Sequence, residues 1–225
     1  MKVILYGRNS KVIEPMVKAA GFKIVKRNPD FLISYGGDGT LMQSEYEFPG
    51  IPKIILKGSL ICKKAHPFSN EEVLAKIKNK KFVIKDFFKL EAAAKNKKLL
   101  AVTDIVIHNG NPRHAVRYHV WVNRREIGKD IIGDGVVIAT PFGSTAYYRS
   151  ITDSFFEVGM GMAFNNSTEQ ADHMVLKETG EIRIKIKRGP ALAYADNQKG
   201  CITLDTDDEI FIKRSNKKMK LVVPF

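Results

Sequence analysis

The fold of this 225-residue chain is decided by residues 31–40, which read FLISYGGDGT. Residues 31–35 form an apolar run with the length of a buried strand, and three glycines surround Asp38 directly after it. Glycines allow a turn in which several backbone N–H groups converge, as a bound phosphate requires. A helix expected from about Thr40 to Glu47 would add its positive end at the same place. The stretch therefore predicts a strand, an anion-binding loop and a helix.

Strand-like and helix-like segments alternate on both sides of this stretch. The predicted strands are 2–6, 22–25 and 54–56, and the predicted helices are 14–20 and one that Ser69 opens with a capping box to Glu72. This alternation predicts an α/β, Rossmann-like domain with a parallel sheet at residues 1–85. Ligands of such sheets bind at the carboxyl ends of the strands, which is where the glycine loop lies.

The second half of the sequence is typical of antiparallel β structure, with period-two patterns separated by turn residues. The predicted strands are 82–88, 99–108, 115–123, 135–139, 181–187, 200–204 and 209–214. Residues 86–214 are therefore predicted to form a β-rich domain, a β-sandwich. For a last strand at about residues 215–225, a return to the first domain remains open.

Composition limits the function classes. The excess of 37 Lys and Arg over 24 Asp and Glu gives a net charge of +13, which attracts polyanions. The basic residues form short scattered runs, which indicate solvated faces rather than a nucleic-acid surface. Without an apolar run of about 20 residues or a signal peptide, we expect a cytoplasmic protein with no membrane partner.

Metal and disulfide sites are not expected from the remaining reactive side chains. Cys62 and Cys201 have no paired spacing, and the histidines lack the spacing of metal ligands. We therefore expect no metal ligands among the protein's own side chains.

Asp38 is unusual inside an anion-binding loop, because phosphate repels a carboxylate. Three interpretations are open: a general base toward an attacking hydroxyl, a ligand to Mg²⁺ that accompanies phosphates, or a tight turn with a purely structural acid.

A second motif lies at residues 133–147, which read GDGVVIATPFGSTAY. Its end offers hydroxyl groups and an aromatic ring on a glycine-permitted turn, which suits the amide, ribose and base of a nucleotide. A helix start capped by Ser or Thr after Pro141 is the structural alternative, and the two interpretations are compatible.

The two motifs together resemble a known family. The Gly-Gly-Asp-Gly-Thr loop is similar to a signature shared by NAD kinases and by diacylglycerol and sphingosine kinases, and residues 133–147 resemble the second NAD kinase signature almost continuously. The chain is identified as a member of the NAD kinase family. The second motif argues against a lipid kinase.

The resemblance implies a role for each matched residue. Asp38 would activate the 2′-hydroxyl of the adenosine ribose, and Asp134 would reach the ligand of a neighbouring subunit. The other implied ligand-binding residues are Gly36, Gly37, Gly39, Thr40, Thr103, Asp104, Thr145, Ala146, Tyr147 and Ser150. The resemblance further implies NAD and a phosphate donor as partners, ATP or polyphosphate as co-substrate with Mg²⁺, and a homodimer or homotetramer.

The sequence departs from the family pattern at several places. Thr103 and Asp104 stand where the family has Asn-Glu, residues 57–64 lack the family's aromatic residue, and no Gly-Gly pair follows Tyr147. Residues 196–198 resemble the family's Asp-Gly-Gln turn, with Asn197 as the residue that tolerates a positive φ. These departures leave a non-catalytic nucleotide sensor as an alternative to an enzyme. The net charge of +13 leaves a second alternative, a polyanion-binding module. Asp38 argues for the enzyme.

Overall fold

The computed structural model describes residues 1–59, 62–168 and 173–225. The chain divides into two compact units, the first comprising residues 1–87 and 218–225 and the second residues 88–217. Within the described ranges no helix is long and apolar enough to cross a membrane.

The described residues up to residue 94 form five strands and three α-helices, with a 3-10 helix at Ser10–Ile13. In chain order they are β1 (Lys2–Tyr6), α1 (Glu14–Ala19), β2 (Lys23–Ile24), β3 (Phe31–Gly36), α2 (Asp38–Glu47), β4 (Lys53–Lys57), α3 (Asn70–Lys78) and β5 (Phe82–Ala94).

The remaining described residues are mostly strands. They are β6 (Lys97–Ala101), β7 (Asp104–Asn109), β8 (Val116–Val122), β9 (Arg125–Gly133), β10 (Gly135–Ala139), β11 (Met160–Asn165), β12 (His173–Leu176), β13 (Glu181–Arg188), β14 (Ala191–Ala195), β15 (Cys201–Leu204) and β16 (Glu209–Pro224), with α4 at Tyr147–Thr152.

The first unit contains a parallel sheet in the order β2-β1-β3-β4-β16, to which β16 contributes its last residues. Tyr6 pairs with Ser34, and Gly36 pairs with Lys57. The carboxyl ends of β1, β3 and β4 therefore meet at one edge. Apolar side chains of these strands pack with α1 and α3 into one core cluster.

A buried ion pair fixes α2 against β4. Lys53 Nζ lies 2.5 Å from Glu45 Oε2 and donates to the carbonyl oxygens of Phe48 and Ile51, each at 2.7 Å. Both charged side chains are almost fully buried. A charge pair in this environment is tolerated only when further hydrogen bonds satisfy it, and here the two carbonyls do so. The helix that begins at Asp38 is thus anchored at its far end.

The second unit contains antiparallel sheets. One has the order β12-β11-β10-β7-β14-β15, and the other joins the first part of β16 to β13, β8 and β9. A single core cluster contains side chains from both sheets, such as Ile138 of β10 and Ile184 of β13. On β13 the buried residues alternate with more exposed ones, as expected for a strand with one face on a core.

The predicted fold class is confirmed at the level of a mixed sheet followed by an antiparallel one, and several predicted bounds were wrong. Helix α2 begins at Asp38 rather than near Thr40. Residues 99–108 form two strands, because the backbone N–H groups of Val102 and Thr103 bond to a side chain instead of a neighbouring strand. The last predicted strand continues from Glu209 to Pro224.

Candidate functional site

The glycine loop joins the end of β3 directly to the start of α2. Gly36 is the last residue of the strand, Gly37 is the N-cap, and Asp38, Gly39 and Thr40 form the first helical turn. A Cβ on Gly36 would overlap the hydroxyl of Thr40, so only glycine allows the helix to start this close to the strand. Among the described residues no side chain caps the helix at Gly37, and the positive end of α2 lies at the glycine loop.

Two more glycines keep the same sheet edge free of side chains. A Cβ on Gly7, whose φ is +131°, would overlap the carbonyl oxygen of Tyr35. Gly58 donates its N–H to the carbonyl oxygen of Gly36 at 3.2 Å, and a Cβ there would press on the Tyr35 ring at 3.0 Å. The carboxyl ends of three parallel strands therefore present backbone rather than side chains, as a phosphate cradle requires.

The side chain of Asp38 is held by the segment that follows β4. Its Oδ1 accepts the backbone N–H of Lys64 at 3.0 Å and lies 3.7 Å from Cys62 Sγ. Burial, together with the Asp38 charge, raises the pKa of Cys62 to about 11. Burial lowers the pKa of Lys64, although Asp38 opposes this change. Asp38 is thus oriented at the glycine loop with a protonated thiol beside it.

This contact was not expected from the sequence. Cys62 and Lys64 belong to the 57–64 segment, which the sequence marked only as a departure from the family pattern. Leu60 and Ile61 of that segment lie outside the described residues.

In the second unit, the Asp196 carboxylate holds the backbone where Thr103 is followed by Asp104. Asp196 Oδ1 accepts the N–H of Thr103 and its hydroxyl, both at 2.7 Å, and the N–H of Asp104 at 3.3 Å. Its Oδ2 accepts the N–H of Val102 at 2.8 Å. Asp196 has a φ of +48°, so it is the left-handed residue of this turn, in place of the expected Asn197. Thr103 is therefore a buried structural donor to Asp196.

Asp104 is buried beside this carboxylate at the start of β7. Burial, followed by the charge of Asp196, raises the pKa of Asp104 to about 7. Burial raises the pKa of Asp196 as well, but its four donors oppose this rise. Asp196 is accordingly the carboxylate of the pair, and Asp104 retains its proton to higher pH.

The end of the second motif forms a tight turn that packs against Val102 and Thr103. Thr140 Oγ1 donates to the carbonyl oxygen of Val102 at 2.7 Å, and the N–H of Thr140 donates to that of Thr103 at 2.8 Å. A Cβ on Gly143 would overlap the Thr103 carbonyl, so this position requires glycine. Ser144 donates to the carbonyl oxygens of Pro141 and Phe156. The turn at 141–146 is thereby fixed on Thr103.

Helix α4 begins where this turn ends. Ala146 is its N-cap, and Thr145 precedes it in the turn. The helix places Tyr147 in its first turn, and Ser150 donates its hydroxyl to the carbonyl oxygen of Tyr147 at 2.7 Å. The expected cap by Ser or Thr was wrong, because Ala146 is the N-cap and no side chain of the described residues caps the helix.

Tyr147 and Ser150 line a polar cavity of about 350 Å³ with Asn165, Asn166 and Ser167. Asn165 donates to the Tyr147 hydroxyl oxygen at 3.1 Å. Among the described residues, the lining does not include Thr103, Asp104, Thr145 or Ala146. The cavity volume is at the lower end of the range for small-ligand pockets.

Asp134 is held next to this cavity by two amides. Its Oδ2 accepts Asn166 Nδ2 at 2.6 Å, and its Oδ1 accepts Asn109 Nδ2 at 3.3 Å. Burial, then the charges of Asp134 and Asp104, raises the pKa of Tyr147. The structure thus brings four sequence-predicted residues of the second unit into one neighbourhood, namely Asp104, Asp134, Tyr147 and Ser150.

Sequence reasoning missed the asparagines and Asp196 as members of this region. Asn165 ends the short strand Met160–Asn165, which has no period-two pattern, and Asn166 follows it. The pairing of β10 with β11 brings both to Tyr147. No signal local to residues 160–167 marks them. Asp196 was visible as part of a family-like turn, but its four hydrogen-bond donors lie more than 90 residues away in the sequence.

The fold and these two regions define a class of protein, one that combines a glycine loop at the sheet edge of an α/β unit with a small polar cavity in a β-rich unit. Residues 102–223, more than half of the chain, match the model of the ATP-NAD kinase C-terminal domain. The chain therefore belongs to the NAD kinase family.

Relatives of the whole chain support this assignment. An NAD kinase of Sulfurisphaera tokodaii is 28% identical over 99% of this chain and 95% of its own length. An NAD kinase of Sulfurimonas denitrificans is 28% identical over 99% of this chain and 81% of its own length.

Two solved structures share the fold. The crystal structure of yeast NADH kinase complexed with NADH aligns with a TM-score of 0.87 at 18% identity, over 100% of this chain and 84% of that one. An Archaeoglobus fulgidus NAD kinase in complex with ATP aligns with a TM-score of 0.81 at 21% identity, over 98% and 93%.

Proposed function

We propose that this protein is an NAD kinase that phosphorylates the 2′-hydroxyl of the adenosine ribose of NAD to give NADP. The observation that carries the proposal is the position of Asp38, in the first turn of a helix that starts at a glycine-lined sheet edge. A protein that only binds phosphate has little use for a carboxylate there, because the two anions repel each other. The curated relatives that match the whole chain are named NAD kinases.

Asp38 is the catalytic residue of the proposed reaction. Its carboxylate accepts the proton of the ribose 2′-hydroxyl while that oxygen bonds to the terminal phosphorus of the donor. The bond from this phosphorus to the leaving phosphate breaks in the same displacement. The N–H of Lys64 orients the carboxylate through Oδ1. Gly36, Gly37, Gly39 and Thr40 hold donor phosphates through the backbone and the positive end of α2.

The second unit holds NAD in this proposal. Tyr147 and Ser150 line the cavity and supply a ring and a hydroxyl. Asp104 and Asp134 offer carboxyl groups for ribose hydroxyls, and Thr145 and Ala146 shape the turn that delivers Tyr147. Thr103 acts through its hydrogen bond to Asp196, which fixes the backbone at Asp104.

ATP or inorganic polyphosphate is the proposed donor. The Archaeoglobus fulgidus relative is an NAD kinase in complex with ATP, which supports ATP.

Mg²⁺ is proposed to arrive with the donor. In the described part of the chain no three His, Cys, Asp or Glu side chains form a metal site. Mg²⁺ commonly uses one carboxylate plus substrate phosphates and waters, and Asp38 at the glycine loop fits that ligand set. When bound, the ion neutralises phosphate charge.

The finer architecture and setting are also proposals. We assign a Rossmann-like α/β domain to residues 1–85 and a β-sandwich that binds NAD to residues 86–214. We further propose a cytoplasmic homodimer or homotetramer in which Asp134 reaches a neighbouring subunit's ligand.

The deciding experiment is an NADP-formation assay with NAD, Mg²⁺ and either ATP or polyphosphate. Replacement of Asp38 by Asn should lower kcat by about 10²–10⁴-fold, the range for loss of a general base. Glu71→Gln is the matched control, because it removes an exposed carboxylate from the first turn of another helix in the same unit. Its kcat should equal that of the wild type.

Binding separates the enzyme from its rivals. NAD binding without NADP formation from any donor would identify a nucleotide sensor. Full activity in Asp38→Asn would contradict the role of Asp38. Binding that lacks nucleotide selectivity and falls steeply with salt would indicate a polyanion-binding module.

A further inference from the structure

A second polar cavity lies in the second unit, and the residues that line it are not among those assigned to NAD. Asn109 Nδ2 connects the two regions, since it donates to the carbonyl oxygen of His114 at 3.1 Å and to Asp134 Oδ1 at 3.3 Å. Its volume is about 320 Å³, and Asn111, Arg113, His114, Ala115, Arg188 and Pro190 contribute to its lining. Two guanidinium groups and an imidazole line it, and none of its lining residues carries a carboxylate. The charge of its lining is therefore opposite to that of the neighbourhood that contains the carboxyl groups of Asp104 and Asp134.

The loop after β7 builds one wall of this cavity. Gly110 donates its N–H to the carbonyl oxygen of Pro190 at 2.9 Å, which ties the loop to the segment before β14. Asn111 Oδ1 accepts the N–H of Arg113 at 3.1 Å, and the carbonyl oxygen of Asn111 accepts the N–H of His114 at 3.0 Å. These bonds fix the backbone at Arg113 before any ligand binds.

Arg188 forms the opposite wall. Its Nη2 donates to the carbonyl oxygen of Ala115 at 3.1 Å, so the guanidinium group is held by the protein. The remaining donors of that planar group are suited to a second, anionic acceptor, since a guanidinium offers five N–H donors in a fixed geometry.

Strand pairing places another arginine close to Arg188. Arg188 of β13 lies opposite Arg117 of β8, after a register shift that follows Ile186. Among the described residues that line the cavity, Arg117 is not included, and its charge acts on Asp130. The positive charge of the cavity therefore comes from Arg113 and Arg188.

We propose that this cavity is a binding site for the phosphoryl groups of a small anion, separate from the glycine loop at Asp38. Arg113 and Arg188 bind the phosphate oxygens from opposite walls, and the Asn111 amide and the His114 imidazole supply further N–H donors. The volume accommodates a ligand at the small end of the usual range, such as a chain of up to about three phosphates, free or carried by a nucleotide. The site does not depend on the proposed kinase reaction.

Titration calorimetry on the full chain tests the site, with tripolyphosphate and ATP as separate probes in the absence of Mg²⁺. The wild type should bind tripolyphosphate at two kinds of site, the glycine loop and this cavity. Arg113→Gln and Arg188→Gln should each lower the affinity of the cavity site by at least about tenfold, since charge-assisted hydrogen bonds are lost. Arg125→Gln, which removes an exposed arginine of β9, is the matched control and should change neither.

The two probes identify the source of the phosphoryl groups. Equal affinity of the cavity for tripolyphosphate and ATP would assign the site to a phosphate chain alone, and tighter binding of ATP would assign it to a nucleotide. Arg188→Lys keeps the charge but loses the planar geometry, so its affinity should fall between those of the wild type and Arg188→Gln.

Two results would overturn the proposal. One is wild-type affinity at both kinds of site in both Arg113→Gln and Arg188→Gln. The other is an equal loss of affinity in Arg125→Gln, which would mean diffuse attraction by the net charge. Arg113 is exposed on its loop, so Arg113→Gln keeps the test valid if Arg188→Gln fails to fold. Because binding is the readout, an inactive kinase would leave this test unaffected.

Discussion

At the scale of single residues, the Asp104–Asp196 pair determines how the second unit responds to pH. Asp196 accepts three N–H groups and one hydroxyl, all of which favour its charged form. Asp104 is buried beside that charge, and its pKa is raised to about 7. The unfolded chain releases the same proton near pH 4. Folding therefore takes up a proton between these two pH values.

This uptake predicts that stability falls as pH rises. The folded state holds more protons than the unfolded state between about pH 4 and pH 7, so the free energy of unfolding decreases across that window and then levels off. The full effect is on the order of 4 kcal/mol for a shift of about three pH units. Asp104→Asn should lose most of this slope. Urea unfolding at pH 5, 6 and 8 measures it.

The control for this prediction is Glu126→Gln, an exposed carboxylate of β9 in the same unit. Its pH dependence should match the wild type. A wild-type slope retained in Asp104→Asn would show that another group carries the proton.

The two cysteines should differ in reactivity because only the thiolate is a nucleophile. The pKa of Cys62 is raised to about 11, whereas Cys201 is exposed. At pH 8 we expect iodoacetamide to modify Cys201 at least about tenfold faster than Cys62. Mass spectrometry of the alkylated peptides over time measures both rates. Equal rates would contradict the buried contact of the Cys62 thiol with Asp38.

At the scale of elements, the junction of β3 with α2 tolerates only glycine at position 36. A Cβ there would overlap Thr40, so Gly36→Ala must displace the first turn of α2 and with it Asp38. We expect NADP formation to fall by at least about tenfold, because small misplacements of a catalytic group are costly. Enzyme assays and thermal unfolding measure the two effects.

Gly200→Ala is the matched control for this junction, since a Cβ at Gly200 meets nothing within 4 Å. Its activity and melting temperature should stay near those of the wild type. A fully active Gly36→Ala would mean that α2 need not start so close to β3.

The same elements show what could be predicted from the sequence. The β3 strand, the glycine loop and the helix after it were predicted because each has a local signal, an apolar run, a cluster of glycines and a helix-forming stretch. Strand β11 was missed, since six residues carry too little periodicity. Helix α4 was predicted only as a helix start after Pro141, and its N-cap is Ala146 rather than a Ser or Thr. Asn165 and Asn166 reach Tyr147 only through the pairing of β11 with β10, a tertiary contact that the local sequence does not reveal.

The residue that starts α2 could not be placed from the sequence either. Glycine disfavours helix, so the sequence indicated a start near Thr40, but the close approach to Thr40 draws Asp38 and Gly39 into the first turn. The separate strands around Thr103 likewise depend on Asp196, which no short window contains.

At the scale of the whole molecule, the chain enters and leaves the second unit once each. Residues 218–225 return to the first unit, where Val222 is fully buried in the core cluster with strands and helices of residues 1–87. Val222→Ala should cost about 2 kcal/mol through the cavity it leaves. Hydrogen exchange should accelerate in the amides of residues 1–87 and stay unchanged in residues 88–217.

Phe225→Ala is the control at this end of the chain, because the Phe225 side chain is 62% exposed while only its backbone is hydrogen-bonded. Its exchange should match the wild type. Equal acceleration in both units after Val222→Ala would mean that they open as one cooperative body.

The path of β16 also bears on the order in which the protein is made. Domains fold as units during synthesis, generally starting from the N-terminal side. Here the second unit is continuous in sequence, whereas the first needs residues 218–225 to complete its sheet beside β4. The second unit can therefore close from one continuous stretch of the chain, whereas the first unit, with its glycine loop, closes only when residues 218–225 pair beside β4. The half that carries Asp38 is begun first and completed last.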